Sequence, residues 1–366
     1  MTGLALLGLL QAGPYDPDPS HLWNRIHVAI HGWHVRHLGP EKDLDSIHWP
    51  ATPGDISGES QMRLLPLLEE FLSKRGDDLV RESLRRAVLQ RDLWMVFAWS
   101  VATEADVEEA DRPGHRELRK RLAAAMRRIA PTFEQVRALP DAYAAAAAKH
   151  PALPADLLDP KGPWVVLGDA SGDPLARAHL EFFRGRADFT IHFALPAGRK
   201  ATEDYVRRLG AREVPECPDG TRVALVRRAQ LVTDRGFAVS SPIVESVQLR
   251  ILRAGREAES VKFQLRREKL FAGEAGGLRP VGPDDRDSLF VLSLGHNKDD
   301  GRARVLANCV QCHAGSSITS LEIVSPVRRK GRPSLVPTSL EDETFATGRW
   351  TADRFSFGLL KALWPD

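Results

Sequence analysis

The sequence VQLRILRAGREAESVKFQL, residues 247–265, indicates the fold class most directly. Apolar side chains occupy every second position in its first five residues and again in its last five, with polar or charged side chains between them. This alternation is typical of β-strands that bury one face, and Gly255 lies between the two runs, where a turn is needed. The sequence therefore predicts two neighbouring antiparallel strands.

Further strands are predicted before and after this pair. Residues 189–193 show the same alternation, and short apolar runs at residues 164–167 and 288–294 have the length and composition of strands. A single helical pattern, at residues 202–209, lies among them. Residues 164–295 are therefore predicted to form a mainly antiparallel, sheet-rich region.

Upstream of this region, apolar side chains recur at the three- to four-residue spacing that is typical of helices. Asp77 or Asp78 is predicted to cap the third helix, and Thr132 with Gln135 forms a capping box at the start of the last one. A break is predicted at residues 112–114. The predicted helices cover residues 21–37, 60–75, 79–97, 115–129 and 132–149.

The chain is therefore predicted to be an α+β protein with three regions. Residues 14–150 form a helical region, and the prolines of residues 151–163 mark a linker to the sheet-rich region. Residues 296–366 form a C-terminal, mainly helical segment. No internal repeat is apparent.

Composition excludes several classes of function. The 366 residues include 51 basic and 49 acidic side chains, a net charge of +2, which gives no basis for nucleic-acid binding. No apolar run reaches the roughly 20 residues that a membrane helix needs. Residues 1–13 contain the run LALLGLL, which predicts a signal peptide, although no Lys or Arg precedes that run.

The residues that carry chemistry are Cys309-Val310-Gln311-Cys312-His313. Two cysteines separated by two residues can each bond a vinyl group of one porphyrin. A histidine that follows at once can ligate the iron below the ring. The pattern is short, but the spacing of Cys309, Cys312 and His313 is the one that covalent attachment and iron ligation both need.

Residues 295–320 around this motif resemble the haem-attachment segment of c-type cytochromes. The resemblance implies one covalently attached haem c, with Cys309 and Cys312 as attachment points and His313 as the proximal iron ligand. It also implies a periplasmic or other extracytoplasmic location, and a redox partner protein. A helix that begins near Asp300 is predicted to present the two cysteines on its last turn.

Three other interpretations of the motif remain open, and one of them is that the pattern is accidental. Cys309, Cys312 and His313 could ligate zinc, but a four-coordinate site needs another ligand and the chain has no second cysteine pair. The cysteines could form a redox dithiol, but no strand, turn and helix precede them in the order that thioredoxin-like proteins use.

The second axial ligand of the iron is predicted to be an upstream residue, an unusual ligand, or absent. No Met or His follows His313, so the downstream methionine of simple monohaem cytochromes is absent. His296 is one candidate. His27 is another, because it shares one face of a predicted helix with His31 and His34. The alternative interpretation is that these histidines only border an apolar stripe of the helix.

Three functions follow from these expectations. The first is electron transfer through Fe(II)/Fe(III) cycling, which two strong axial ligands favour. The second is a haem-dependent, peroxidase-like oxidoreductase. The third is a haem-based sensor or binding module. An open or weakly held coordination position would favour the second or the third.

Overall fold

The computed structural model of the protein confirms the predicted α+β class. A seven-stranded antiparallel sheet is combined with helices that precede it, lie within its connections and follow it. The structure describes residues 14–37, 59–211, 213, 217–253, 258–282, 286–287, 303–304 and 334–364.

Every neighbouring pair of strands in the large sheet is antiparallel. The strand order is β6-β5-β4-β3-β2-β1-β9. Its strands are β1 (Val165–Asp169), β2 (Ala187–Ala194), β3 (Arg222–Val232), β4 (Ala238–Ile251), β5 (Glu259–Leu265), β6 (Leu278–Pro280) and β9 (Leu335–Thr338). Two further strands, β7 (Arg286–Asp287) and β8 (Ala303–Arg304), pair with each other.

The strand pair predicted from residues 247–265 is confirmed as β4 and β5. Val247 lies opposite Phe263 and Leu249 lies opposite Val261, so the alternating apolar side chains share one face. The predicted strands at residues 164–167 and 189–193 are also confirmed, as β1 and β2.

Eleven α-helices lie within the described residues. They are α1 (Leu22–His37), α2 (Glu59–Ser73), α3 (Ser83–Ala102), α4 (Arg112–Arg128), α5 (Phe133–Arg137), α6 (Ala142–Ala147), α7 (Arg177–Phe182), α8 (Arg199–Gly210), α9 (Arg267–Phe271), α10 (Leu340–Ala352) and α11 (Phe355–Ala362). None of the helices in the described part of the chain is both long enough and apolar enough to cross a bilayer.

Three apolar clusters hold these layers together. The largest joins α1–α4 to the end of the β3–β4 hairpin, and Trp94, Phe97 and Trp99 of α3 belong to it. A second lies where α7 and α8 cover one face of the sheet. The third lies on the other face, under α6. The helical region and the sheet therefore share a core instead of being separated by the linker.

Several predicted helix boundaries are wrong. Asp77 and Asp78 lie in a short 3₁₀ turn, and α3 begins only at Ser83. The predicted break at residues 112–114 is instead the first turn of α4. Pro113 is tolerated there, because backbone N–H groups in the first turn of a helix have no acceptor within the helix and the missing N–H of proline is not needed. The capping box at Thr132 is present.

The Ala-rich helix predicted from that capping box is divided in two. It ends at Arg137, and α6 begins after Asp141, whose side chain accepts a hydrogen bond from the Ala144 backbone N–H. Pro140 lies between them and cannot continue a helix, because it lacks an N–H and clashes with the preceding turn.

The boundary of the sheet-rich region is also wrong. Its edge strand β9 comes from the C-terminal segment and pairs with β1. Residues 303–304 form β8, which contradicts a continuous helix from Asp300. The two helices α10 and α11 follow β9. The predicted strand at residues 288–294 and the predicted signal peptide at residues 1–13 lie outside the described residues.

Candidate functional site: the Asp92 cluster

The haem-attachment motif lies in a part of the chain that the structure does not describe. Cys309, Cys312 and His313 all lie there, as does the distal candidate His296. The other distal candidate, His27, is described, and its ring packs against Tyr15, which belongs to a set of buried hydrogen bonds around Asp92.

Helix α1 places His27 and His31 together, as their spacing of four residues predicts. The centres of the two imidazole rings lie 4.7 Å apart. Both rings are partly buried, whereas Trp23, Ile26 and Ile30 are fully buried in the core. The apolar stripe predicted for this helix is therefore confirmed, with the two histidines at its border.

Opposite α1, an aspartate and an arginine form a buried ion pair. Asp92 of α3 has no solvent exposure, and the side chain of Arg267 in α9 is 2% exposed. Arg267 donates from Nη1 to Asp92 Oδ2 at 2.5 Å and from Nη2 to Asp92 Oδ1 at 2.9 Å. Such a two-point contact satisfies both carboxylate oxygens and fixes their plane.

Tyr15 and His31 complete what we call the Asp92 cluster: Tyr15, His31, Asp92 and Arg267. The Tyr15 hydroxyl donates to Asp92 Oδ2 at 3.0 Å and accepts a hydrogen bond from Arg267 Nη1 at 2.6 Å. His31 Nε2 lies 3.9 Å from Asp92 Oδ1 and forms an ion pair with it when the imidazole is protonated. The ring of His27 packs edge-on against Tyr15.

The electrostatics of the cluster favour an ionised aspartate. Burial alone would raise the pKa of Asp92, but the charge of Arg267 and the contact with His31 outweigh burial and hold that pKa well below its usual range. Asp92 is therefore ionised in the folded protein, and the guanidinium of Arg267 balances its charge. Among the described residues, no group of three or more His, Cys, Asp or Glu side chains has an arrangement that could hold a metal ion.

Sequence reasoning did not identify Tyr15, Asp92 or Arg267 as a group. One signal was present, because Asp92 is an acidic residue directly before the mainly apolar second half of α3. A buried carboxylate needs a partner, but nothing local indicates that the partner lies 175 residues away.

A second set of buried titratable groups lies where α10 packs beside β1 and β2. Glu343 is 3% exposed and accepts a hydrogen bond from the Leu175 backbone N–H at 2.7 Å. Burial raises the pKa of Glu343 to about 7, with smaller contributions from Asp188 and Asp169. Burial also raises the pKa of Asp188 and lowers that of His192 to about 3.

Glu343 should therefore make stability depend on pH. Its folded pKa of about 7 lies above the ordinary 4.5, so between these values the folded protein holds a proton that the unfolded chain has released. Stability is greatest below pH 4.5 for this group and falls as the pH rises, by about 3 kcal/mol in total. Urea unfolding at pH 5 and at pH 8 measures this change. From pH 5 to pH 8, the free energy of unfolding of the wild type should fall by about that amount relative to that of Glu343→Gln.

The matched control is Glu341→Gln, because Glu341 lies exposed on the same helix. Its stability should follow the wild type at both pH values. If Glu343→Gln also follows the wild type, Glu343 is ionised in the folded protein at pH 5, contrary to this prediction.

Comparison with known proteins identified no relative of this chain. The chain has no significant match to a protein-family model, to a curated protein or to a solved structure. Its function must therefore be argued from its own residues.

Proposed function

We propose that this protein carries one covalently attached haem c and transfers electrons. The observation that supports the proposal is the sequence Cys309-Val310-Gln311-Cys312-His313. Cys309 and Cys312 would form the two thioether bonds, and His313 would be the proximal iron ligand.

The donor set fits this cofactor. Two thiols and one imidazole are the groups that haem c attachment consumes, and all three occur within five residues. When bound, the haem supplies a one-electron Fe(II)/Fe(III) couple, whose potential depends on the axial ligands and on burial. Haem attachment implies export, so we propose a periplasmic or other extracytoplasmic location and a redox partner protein.

The proposed distal ligands are His27 and His296. His27 Nε2 is buried in the structure. A haem iron could bind it only after the groups packed around that atom had moved. His31 is the poorer candidate of the α1 pair, because its Nε2 faces the Asp92 carboxylate.

We also propose a second candidate function, because residues 314–366 contain no Met or His. An iron with an open or weakly held sixth position could react with peroxide or bind a gas, as a haem-dependent oxidoreductase or a haem-based sensor would require. These functions differ from electron transfer in the coordination of the iron, which can be measured.

The test is to export the protein from a host that attaches haem c, and then to run a denaturing gel stained for haem. A stained band at the mass of the chain is expected. The absorption spectrum of the wild type would then be compared with those of His27→Ala and His296→Ala. A low-spin spectrum that becomes high-spin in one variant identifies the distal ligand and supports electron transfer.

A high-spin spectrum in the wild type supports the second candidate function instead. A folded, exported protein that is colourless, with both motif thiols open to alkylation, would overturn the proposal in either form.

A further inference from the structure

Helix α10 packs on the sheet with a mainly polar face. Its buried residues recur at helical spacing and are Glu343, Ala346, Thr347, Trp350 and Thr351. Two of these five side chains are apolar, while the large apolar side chain of Phe345 on the same helix is 71% exposed. Because buried apolar area is the main force that holds a helix in place, α10 is held more weakly than the apolar helix α3.

Polar contacts tie α10 to residues 170–186, the connection between β1 and β2 that contains α7. Three side chains of α10 bond backbone groups of this connection: Glu343 accepts from the Leu175 N–H at 2.7 Å, Arg349 donates to the Gly172 carbonyl, and Thr351 donates to the Gly185 carbonyl at 3.3 Å. We call these three contacts the α10 latch. Each such bond contributes on the order of 1 kcal/mol, so the latch can open without unfolding the whole protein.

The contact made by Glu343 depends on protonation. Its carboxyl packs on the backbone of β1, since a Cβ atom at Gly168 would lie 3.3 Å from Glu343 Oε2. The charged groups that act on this carboxyl are Asp188 of β2 and Asp169 of β1, and both disfavour a second negative charge. Among the described residues, no cation offsets these two carboxylates at Glu343.

The other charged groups on the elements around α10 have partners elsewhere. Arg228 of β3 lies opposite Asp188 in the sheet and acts on that carboxylate. Arg354, just before α11, lies over the ring of Trp350. Glu245 of β4 is bound by Arg91. An ionised Glu343 would therefore gain a favourable environment only by moving into water.

We propose that the α10 latch is a pH-sensitive device, which is closed while Glu343 is protonated and opens locally when Glu343 ionises. Glu343 has a pKa of about 7 in the closed state and the ordinary value of 4.5 once exposed. Opening therefore becomes more favourable as the pH rises from 4.5 to 7, and it levels off above pH 7. The inference is independent of the haem proposal, because no latch residue belongs to the attachment motif or to the distal candidates.

Hydrogen exchange of the full-length protein, followed by mass spectrometry at pH 5 and pH 8, tests this proposal. Protection factors, corrected for the intrinsic exchange rate at each pH, are compared between peptides of α10 and peptides of α3. The opening equilibrium of α10 should rise by about 70-fold from pH 5 to pH 8, and its protection should fall by that factor. Amides of α3 should remain better protected than those of α10 at both pH values, because α3 lies in the main core.

Two variants separate the role of the proton from that of the hydrogen bond. Glu343→Gln keeps an oxygen that accepts from the Leu175 N–H but cannot ionise, so protection of α10 should be the same at both pH values. Arg349→Met removes a latch contact that does not titrate. It should lower protection of α10 at both pH values and leave the pH dependence unchanged. Glu341→Gln, exposed on the same helix, is the control and should follow the wild type.

Three results would overturn the proposal. The first is equal protection of α10 and α3 at both pH values, which would mean that α10 is released only when the whole protein unfolds. The second is protection of α10 that does not change with pH in the wild type. The third is a wild-type pH dependence that persists in Glu343→Gln.

Discussion

Replacing both Cys309 and Cys312 by alanine should abolish covalent haem attachment completely. Each thioether bond needs one cysteine sulfur, so the double variant has no atom through which the porphyrin could be linked to the chain. Haem staining after denaturing electrophoresis should fall to background, while a stained band remains for the wild type. The single variants should retain at most one bond, with a large loss of stained protein.

The third cysteine of the chain offers a matched control. Cys217 is a free, partly buried thiol at the margin of an apolar cluster, far from the motif in sequence. Cys217→Ala should therefore stain as strongly as the wild type. If the double variant still stains, or if the wild type contains stoichiometric zinc and no haem, the attachment motif has been misinterpreted.

Arg267→Met should lower the free energy of unfolding by about 3–5 kcal/mol. The substitution leaves the Asp92 carboxylate buried, ionised and without the guanidinium that donates two hydrogen bonds to it. The Tyr15 hydroxyl loses a donor at the same time. Urea unfolding followed by tryptophan fluorescence measures this change, because Trp23 is buried in the same core.

Two controls separate this effect from a general loss of an arginine. Arg25→Met breaks an exposed ion pair with Glu70 and should cost under about 1 kcal/mol. The double variant Asp92→Leu with Arg267→Met removes both charges, and it should recover much of the stability that the single variant loses. Equal costs for Arg267→Met and Arg25→Met would contradict the buried, charge-paired environment described for Asp92.

The elements that sequence reasoning predicted well are those that local pattern determines. The β4–β5 pair follows from alternation over a few residues, and α1 and α2 follow from apolar side chains at helical spacing. The predicted bounds of α1 and α2 lie within two residues of the observed ones, whereas β4 begins at Ala238, well before the predicted Val247. The capping box at Thr132 was likewise a local signal, and it is present.

The elements that were missed depend on distant parts of the chain. β3 lies at the centre of the sheet, yet its middle carries Arg227 and Arg228, whose charges conceal the strand pattern. Both arginines are buried beside polar partners on neighbouring strands: Arg227 contacts Glu245, and Arg228 donates a hydrogen bond to Thr190. The pairing of Asp92 with Arg267 is hidden for the same reason.

The pairing of β9 with β1 has a consequence for how this chain folds during synthesis. The Ser334 backbone N–H donates to Asp169 Oδ1 across 165 residues of sequence. At ordinary translation speeds, β1 leaves the ribosome on the order of ten seconds before its outer neighbour exists. During that interval β1 is an unprotected edge that could pair with another chain. Cys309 and Cys312 precede β9, so both are synthesised while that edge is still open.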